Sequence, residues 1–278
     1  MADDVSGTTR NSHPWVFGVA TLAVLATVNF LREFLSHFAA YRGLYERHSF
    51  YVPEGIDKLS GVVICAFAVW ILRKVGWRGI ACELGLAASP LPAVVFGLVA
   101  SSPTLVGFAL TRGVTPHMRP MSILFLTVLS PILEEIEFRG LGVRNLQRGT
   151  GWPFWAMVWP QALLFGWGHV EQGQSFVEQG QSFADMVGLM LLTGSGAVVF
   201  GWLVYRWQNL WFPIVLHVCM NLWWEVFGVS KTALGGWFPF VVQTGSILFA
   251  VGITLYWTKA QDDSLRSHPP KSKSAILA

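Results

Sequence analysis

Long apolar runs, separated by short polar connections, dominate the chain. Eight such runs lie at 14–31, 59–72, 89–110, 120–138, 152–170, 185–204, 210–228 and 236–258. The runs are continuously apolar and do not alternate with a period of two, which indicates helices and not the strands of a barrel. A membrane-spanning helix needs about 20 apolar residues, so eight spans use about 160 residues. The pattern predicts an all-α, polytopic membrane bundle of about eight transmembrane helices.

Three segments depart from a simple run of span length. The second run is short and is expected to borrow residues from its flanks, while the third contains Pro90, Pro92 and Pro103, which membrane helices tolerate when neighbours satisfy the freed carbonyls. The polar stretch 171–185 carries two tandem copies of Glu-Gln-Gly-Gln-Ser-Phe, and we expect it to form a lengthened loop. Residues 259–278 are polar and basic, which predicts a disordered tail.

The composition excludes a large soluble domain. Hydrophobic residues make up 53% of the 278 residues and charged residues only 13%, and the mean hydropathy is +0.49. Soluble domains carry about 25% charged residues. The net charge of +3 is small and its basic residues are scattered, which argues against a nucleic-acid partner. Placing both termini in the cytoplasm puts 12 of the 19 Lys and Arg residues on the cytoplasmic side, so this orientation is predicted.

Few ionisable or strongly polar side chains remain inside the apolar runs. An ionisable residue at the centre of the bilayer costs about 2.5–3.5 kcal/mol on insertion scales, so these residues mark candidate functional positions. They are Glu134, Glu135 and Arg139 in the fourth run, His169 in the fifth, and His217 and Asn221 in the seventh.

The spacing of these residues suggests distinct roles. Glu135 and Arg139 are four residues apart and are expected to form an ion pair on one helix face. Glu134 then has no charge opposite it, which suits a general base, and Glu137 is expected to point away towards the helix end or a loop. His217 and Asn221 also share one helix face, and two donors on a rigid helix suit the stabilisation of a tetrahedral oxyanion.

Glu134 and His169 are predicted to lie at similar depth. Glu134 precedes the Gly149-Thr150-Gly151 turn by about 22 Å of helix, and His169 follows that turn by about 26 Å. This prediction requires residues 141–148 to be helical, with which their sequence is compatible apart from Gly142.

Several other classes of membrane protein can be compared with this pattern. Neither His169 nor His217 is followed by Glu, which excludes an HExxH zinc protease, and no pair of Asp residues lies within the spans, which excludes an aspartyl protease. A Ser195–His217 dyad lacks the Gly that precedes the serine in rhomboid-like motifs. A transporter or proton-coupled carrier that uses the buried Glu and His remains an alternative, as does a non-catalytic scaffold. Gln161 is expected to form a helix-packing hydrogen bond and Glu225 to be interfacial.

Three short motifs in order resemble the CPBP family, the CAAX-processing type II endopeptidases and their bacterial relatives. These motifs are Glu134-Glu135-x-x-x-Arg139, Phe165-x-x-x-His169 and His217-x-x-x-Asn221, and the resemblance covers residues 120–226. It implies N-terminal membrane helices outside the family pattern (1–119), a protease-like core (120–228), a final membrane helix (229–258) and the tail (259–278). It also implies an integral protein of a bacterial cytoplasmic membrane.

The resemblance assigns a role to each motif residue. Glu134 and His169 activate water, His217 and Asn221 form the oxyanion site, and Glu135 and Arg139 organise the first motif. It implies cleavage of a membrane-associated protein or peptide near its C-terminus, with an immunity protein as the non-catalytic alternative. The family is described both as metalloproteases and as metal-free glutamic proteases. No cofactor is therefore assigned with certainty, although Glu134, His169 and His217 are candidate zinc ligands.

Overall fold

The computed structural model describes residues 11–114, 119–178, 183–229 and 237–267, and these residues form helices and no strand. The N-terminal helices are α1 (Pro14–Asn29), α2 (Leu31–Ser36), α3 (Ala39–Arg47), α4 (Tyr51–Arg73), α5 (Trp77–Leu84), α6 (Leu91–Ala100) and α7 (Ser102–Thr111). The C-terminal helices are α11 (Phe154–Glu178), α12 (Phe183–Trp207), α13 (Trp211–Val226) and α14 (Trp237–Ser267). The all-α prediction is confirmed.

A continuous helical stretch at residues 120–150, here called the central rod, lies between these two groups. It consists of α8 (Pro120–Ser122), the π-helix π1 (Ile123–Leu129), α9 (Ser130–Glu135), the π-helix π2 (Ile136–Asn145) and α10 (Leu146–Thr150). The rod therefore extends through residues 141–148 and ends beside Gly151, as the depth prediction required.

Among the described residues, each of the eight apolar runs is largely helical, but the helices differ in length. Within the described residues, Tyr51–Arg73 and Trp237–Ala260 are each long and apolar enough to cross a membrane. The pair α6 and α7, bent by 42°, makes a third candidate if it is one broken span. Pro103 is the second residue of α7, a position where its missing N–H costs no hydrogen bond. The apolar α1 has only 16 residues.

Two predicted non-helical segments are partly helical. Helix α11 continues to Glu178, so the first copy of the duplicated segment lies in a helix and not in the expected loop. Helix α14 continues to Ser267, which includes the first nine residues of the expected tail, 259–267. Extending an existing helix is much less costly than starting one. Residues 179–182 and 268–278 lie outside the described residues.

The rod forms the centre of the bundle. Helices α1, α4, α5, α11 and α12 pack against π2, while α13 packs against π1 and α9. Helices α6 and α14 lie on the far side of this layer, α6 against α13 and α14 against α6, α7 and α12. The apolar residues Leu141, Val143 and Leu146 of the rod are fully buried. The polar residues Glu135, Arg139 and Asn145 of the rod are likewise buried within the protein.

Pro131 leaves one carbonyl of the π1 turn without a donor from its own helix. The Ser130 N–H donates to Phe125 O and not to Leu126 O, as it would in an α-helix. In the π pattern the partner of Leu126 O would be residue 131, which is a proline without an N–H. The Asn221 amide of α13 donates to this carbonyl instead, at 3.1 Å. The widened turn is thus completed by a neighbouring helix.

Candidate active site

Glu135, Arg139 and His217 form a buried cluster. The Arg139 Nη1 atom lies 3.1 Å from Glu135 Oε1, and both side chains are almost completely buried. The guanidinium also lies over the rings of Phe165, at 4.3 Å, and Phe200, at 5.5 Å. The His217 Nδ1 atom is 2.9 Å from the same carboxylate oxygen. The predicted Glu135–Arg139 ion pair is therefore present, and it ties the rod to α13.

Glu134 has a cation opposite it, contrary to the prediction. Its Oε1 atom accepts hydrogen bonds from Lys58 Nζ and from Ser130 Oγ, each at 2.7 Å. Lys58 comes from α4, which begins at Tyr51 and so carries residues before the predicted run 59–72 into the bundle. The sequence held one signal for this contact. Glu54, Asp57 and Lys58 have the i, i+3, i+4 spacing of one helix face.

Glu134 and His169 line one cavity of about 120 Å³. Its lining residues come from α1, α2, α4, the rod and α11, and they are Val28, Asn29, Leu31, Glu54, Asp57, Lys58, Glu134, Glu137, Phe138, Phe165, Gly168 and His169. Four carboxyl groups and one ammonium group therefore face a space with room for several water molecules. A polar cavity that holds several water molecules in an apolar bundle is suited to hydrolytic chemistry.

The geometry of His169 leaves one ring nitrogen available. Its Nδ1 atom lies 2.9 Å from the Phe165 carbonyl oxygen. A carbonyl oxygen only accepts hydrogen bonds, so Nδ1 carries the hydrogen, and Nε2 of the neutral ring is an acceptor. His169 can thus accept a hydrogen bond from a water molecule in the cavity.

His217 and Asn221 both face the rod, as their spacing predicts, but neither lines this cavity. The Asn221 amide donates to Leu126 O, and His217 is bonded to Glu135 through Nδ1. Glu134 lies within electrostatic range of both His169 and His217. The structure therefore brings Glu134 and His169 together at the cavity, and it bonds His217 to Glu135.

The prediction for Glu137 is wrong. Glu137 lines the cavity with Glu134 and is buried. Side chains three residues apart lie on the same face of a helix, so the spacing of the two glutamates already indicated this arrangement.

The side chains of Gln161 and Glu225 both form hydrogen bonds between helices. The Gln161 amide donates to Ala197 O across α11 and α12, as predicted, and Glu225 accepts a hydrogen bond from Ser122.

The arrangement does not fit the candidate zinc ligands. Among the described residues, no group of three or more His, Cys, Asp or Glu side chains is arranged to hold a metal ion. The Lys58 ammonium occupies Oε1 of Glu134, and a cation beside a carboxylate opposes the binding of a second cation there. The Nδ1 atom of His217 is bonded to Glu135 and is not available to a metal ion, and a metalloprotease site is not supported.

Replacing Lys58 with Met is expected to destabilise the folded protein by about 1–3 kcal/mol, because it leaves a partly buried carboxylate short of a charged donor. Lys58→Arg should retain most of the stability. The free energy of unfolding in detergent micelles measures the change, with Lys259→Met at an exposed position as the control. If Lys58→Met proves as stable as Lys259→Met, the pair does not hold α4 to the rod.

Comparison with known proteins gives two matches. Residues 116–223 match the family model described as type II CAAX prenyl endopeptidase Rce1-like. A curated protein of Bacillus subtilis (strain 168), named "Putative membrane peptidase YdiL", is 30% identical over 102 residues. This match covers 37% of the chain and 35% of the relative, so the chain spans about a third of that relative's length. No solved structure matches the chain.

All three motifs from which the resemblance was predicted lie within the matched residues 116–223. The matched segment contains the whole rod, α11, α12 and nearly all of α13, and it supplies Glu134 and His169 of the cavity. The resemblance is confirmed, because residues 116–223 of this membrane protein match the Rce1-like family model.

Proposed function

We propose that the protein is an intramembrane endopeptidase that hydrolyses a peptide bond of a membrane-associated protein or peptide near its C-terminus. One observation carries the proposal. Glu134 and His169, which belong to two separate motifs, line one cavity of the helical bundle that has room for several water molecules. The Rce1-like match and the name of the Bacillus subtilis relative support a peptidase. A cytoplasmic position of both termini and a bacterial cytoplasmic membrane belong to the same proposal.

The mechanism follows from the two oxygens of Glu134. Lys58 and Ser130 hold Oε1, and Oε2 accepts no hydrogen bond from the described residues. Oε2 acts as the base that takes a proton from a cavity water, which His169 orients through Nε2. The water oxygen then attacks the carbonyl carbon of the substrate. The hydrogen bonds from Lys58 and Ser130 fix the side-chain rotamer of Glu134. Little conformational entropy is therefore lost when the carboxylate reaches the geometry for proton transfer.

The oxyanion role of His217 and Asn221 is part of the proposal. We propose that His217 acts in the form that carries hydrogen on both ring nitrogens, so that Nδ1–H donates to Glu135 and Nε2–H donates to a substrate oxygen. The Asn221 amide has two N–H donors, and Leu126 O accepts from one of them. We propose that an extended substrate segment entering between π1 and α13 accepts from the other. Glu135 and Arg139 act through His217 as positioning residues.

A transporter is the second candidate, because the cavity gathers ionisable side chains inside a membrane bundle. The purified protein in proteoliposomes distinguishes the two. Wild type is expected to cleave either a farnesylated CAAX-type peptide or a matched unprenylated transmembrane peptide, and the products are identified by mass spectrometry. Proton flux that depends on Glu134, without cleavage of either peptide, favours the transporter. A scaffold shows neither activity.

His169→Ala is expected to lower kcat for the cleaved peptide by about 10²–10⁴-fold, because the water loses its second hydrogen-bonding partner. His48→Ala changes an exposed histidine of the N-terminal region and serves as the matched control. Rates are measured under saturating peptide in proteoliposomes. Equal rates for the two variants contradict the assigned role of His169.

A further inference from the structure

The cavity contains a second glutamate that the proposed mechanism does not use. Glu137 is 7% exposed, and its Oε1 atom has no hydrogen-bond partner. Within the described part of the chain no Lys, Arg or His nitrogen forms an ion pair with it, although it lines the same cavity as Glu134 and His169. Its carboxyl group packs directly on Gly61 of α4, where an added Cβ would overlap Oε1. Glycine at this position therefore admits the carboxyl group into the helix interface.

The surroundings of Glu134 and Glu137 differ in one decisive respect. Lys58 Nζ is 2.7 Å from Glu134 Oε1 and 4.0 Å from Glu54, and it makes no comparably close contact with Glu137. The titratable and charged groups that surround Glu137 are Glu54, Asp57, Lys58 and Cys65 of α4, Glu134 of the rod and His169 of α11. Lys58 is the one permanently charged cation in this set, and Glu134 holds it.

These surroundings favour different protonation states for the two carboxyl groups. A carboxylate paired with an ammonium group and a hydroxyl donor stays ionised. A buried carboxyl group without a partner, beside other acidic groups, takes up a proton because the charged form is poorly solvated. When one carboxyl group of a site is ionised and its neighbour is protonated, the first can act as a base and the second as an acid.

We propose that Glu137 is the general acid of the reaction, which protonates the leaving amine while Glu134 acts as the base. This role rests on the proposed peptidase function. A water proton passes to Glu134 as the water oxygen bonds to the carbonyl carbon. The C–N bond then breaks, and the Glu137 proton passes to the departing nitrogen. A proton returns from Glu134 to Glu137 through a cavity water, so the net reaction is peptide plus water to carboxylic acid plus amine.

Infrared spectroscopy tests the protonation state without any substrate. The expected wild-type spectrum in lipid bilayers at neutral pH contains the C=O stretch of a protonated carboxyl group. This band should persist in the exposed control Glu46→Gln, and it should be lost in Glu137→Gln. Absence of the band from wild type overturns the proposal even if Glu137→Gln fails to fold. Its persistence in folded Glu137→Gln does the same.

A pair of probes tests the role as acid. One is the peptide that wild type cleaves, either the farnesylated CAAX-type peptide or the unprenylated transmembrane peptide, and the other is its depsipeptide, with an ester at the scissile position. A peptide amine is a poor leaving group and needs a proton, whereas an ester alcohol needs it less. Glu137→Gln is expected to lower kcat for the amide by about 10²–10⁴-fold and to change ester cleavage much less. Glu137→Asp, which keeps an acid, should restore part of the amide rate.

Equal losses for the amide and the ester overturn the acid role, because they indicate a merely structural defect. Glu46→Gln is again the control for both probes. If wild type cleaves neither the farnesylated nor the unprenylated peptide, the proposed function fails and the acid role fails with it, whatever the infrared spectrum shows. If wild type cleaves the amide and the ester and Glu137→Gln behaves like wild type, only the role of Glu137 fails.

Discussion

Glu134→Gln is expected to abolish peptide cleavage while the protein remains folded and inserted in the membrane. The amide has nearly the shape of the carboxylate, and its oxygen still accepts from Lys58 and Ser130. It cannot take a proton from water at neutral pH, so the general-base contribution of about 10²–10⁴-fold is lost, together with the charge that orients the water. The rate of product formation in proteoliposomes measures the loss.

The matched control for this change is Glu46→Gln, which makes the same substitution at an exposed position of α3. It should cleave at the wild-type rate, and both variants should unfold at nearly the wild-type temperature. Retained cleavage by Glu134→Gln removes Glu134 from the role of base. A variant that is inactive because it has lost its fold is recognised by its lower unfolding temperature.

Glu135→Ala and Arg139→Ala are each expected to destabilise the folded protein by about 3–5 kcal/mol, because each leaves a buried charge without its partner. Arg139 is 1% and Glu135 0% exposed, so water cannot replace the lost group. Arg139→Ala also removes the cation from the Phe165 and Phe200 rings, and Glu135→Ala frees His217. Chemical denaturation in detergent micelles measures both.

The double variant separates pairing from packing. If the two residues act as a pair, Glu135→Ala combined with Arg139→Ala should cost clearly less than the sum of the single changes. Arg47→Ala, at an exposed position, should change stability by less than about 0.5 kcal/mol. Additive single effects, or a stability of Arg139→Ala equal to that of Arg47→Ala, contradict the proposed ion pair.

Local spacing predicted much of this structure. Apolar runs of span length placed the major helices, because a bilayer-length helix needs little beyond continuous hydrophobicity. Four-residue spacing placed Glu135 against Arg139 on the rod. The same local geometry, three residues instead of four, would have placed Glu137 beside Glu134.

Contacts between distant helices were beyond local spacing. Lys58 and Glu134 are 76 residues apart in the chain, and their contact depends on where α4 begins and how it packs on the rod. The hydrogen bond from Asn221 to Leu126 O depends on the π1 turn, in which Pro131 leaves this carbonyl without a donor from its own helix. Neither contact follows from the spacing of residues within one helix.

The N-terminal third supplies part of the candidate site although it matches no motif. Helix α4 contributes Lys58 to Glu134 and Gly61 to the packing of Glu137, and α1 contributes Asn29 to the cavity wall. The matched segment 116–223 alone therefore lacks the cation of the site. Differences in this third between related proteins are expected to alter the properties of the glutamate base without changing the three motifs.

The most direct test of the central claim is the mass of the products formed in water enriched in ¹⁸O. Purified wild type in proteoliposomes is expected to cleave the farnesylated CAAX-type peptide or the unprenylated transmembrane peptide. The new C-terminal carboxyl group should carry one ¹⁸O atom taken from water. Glu134→Gln in the same vesicles should yield no product. Intact peptides after incubation with folded wild type, or equal product formation by Glu134→Gln, contradict a Glu134-dependent peptide hydrolase.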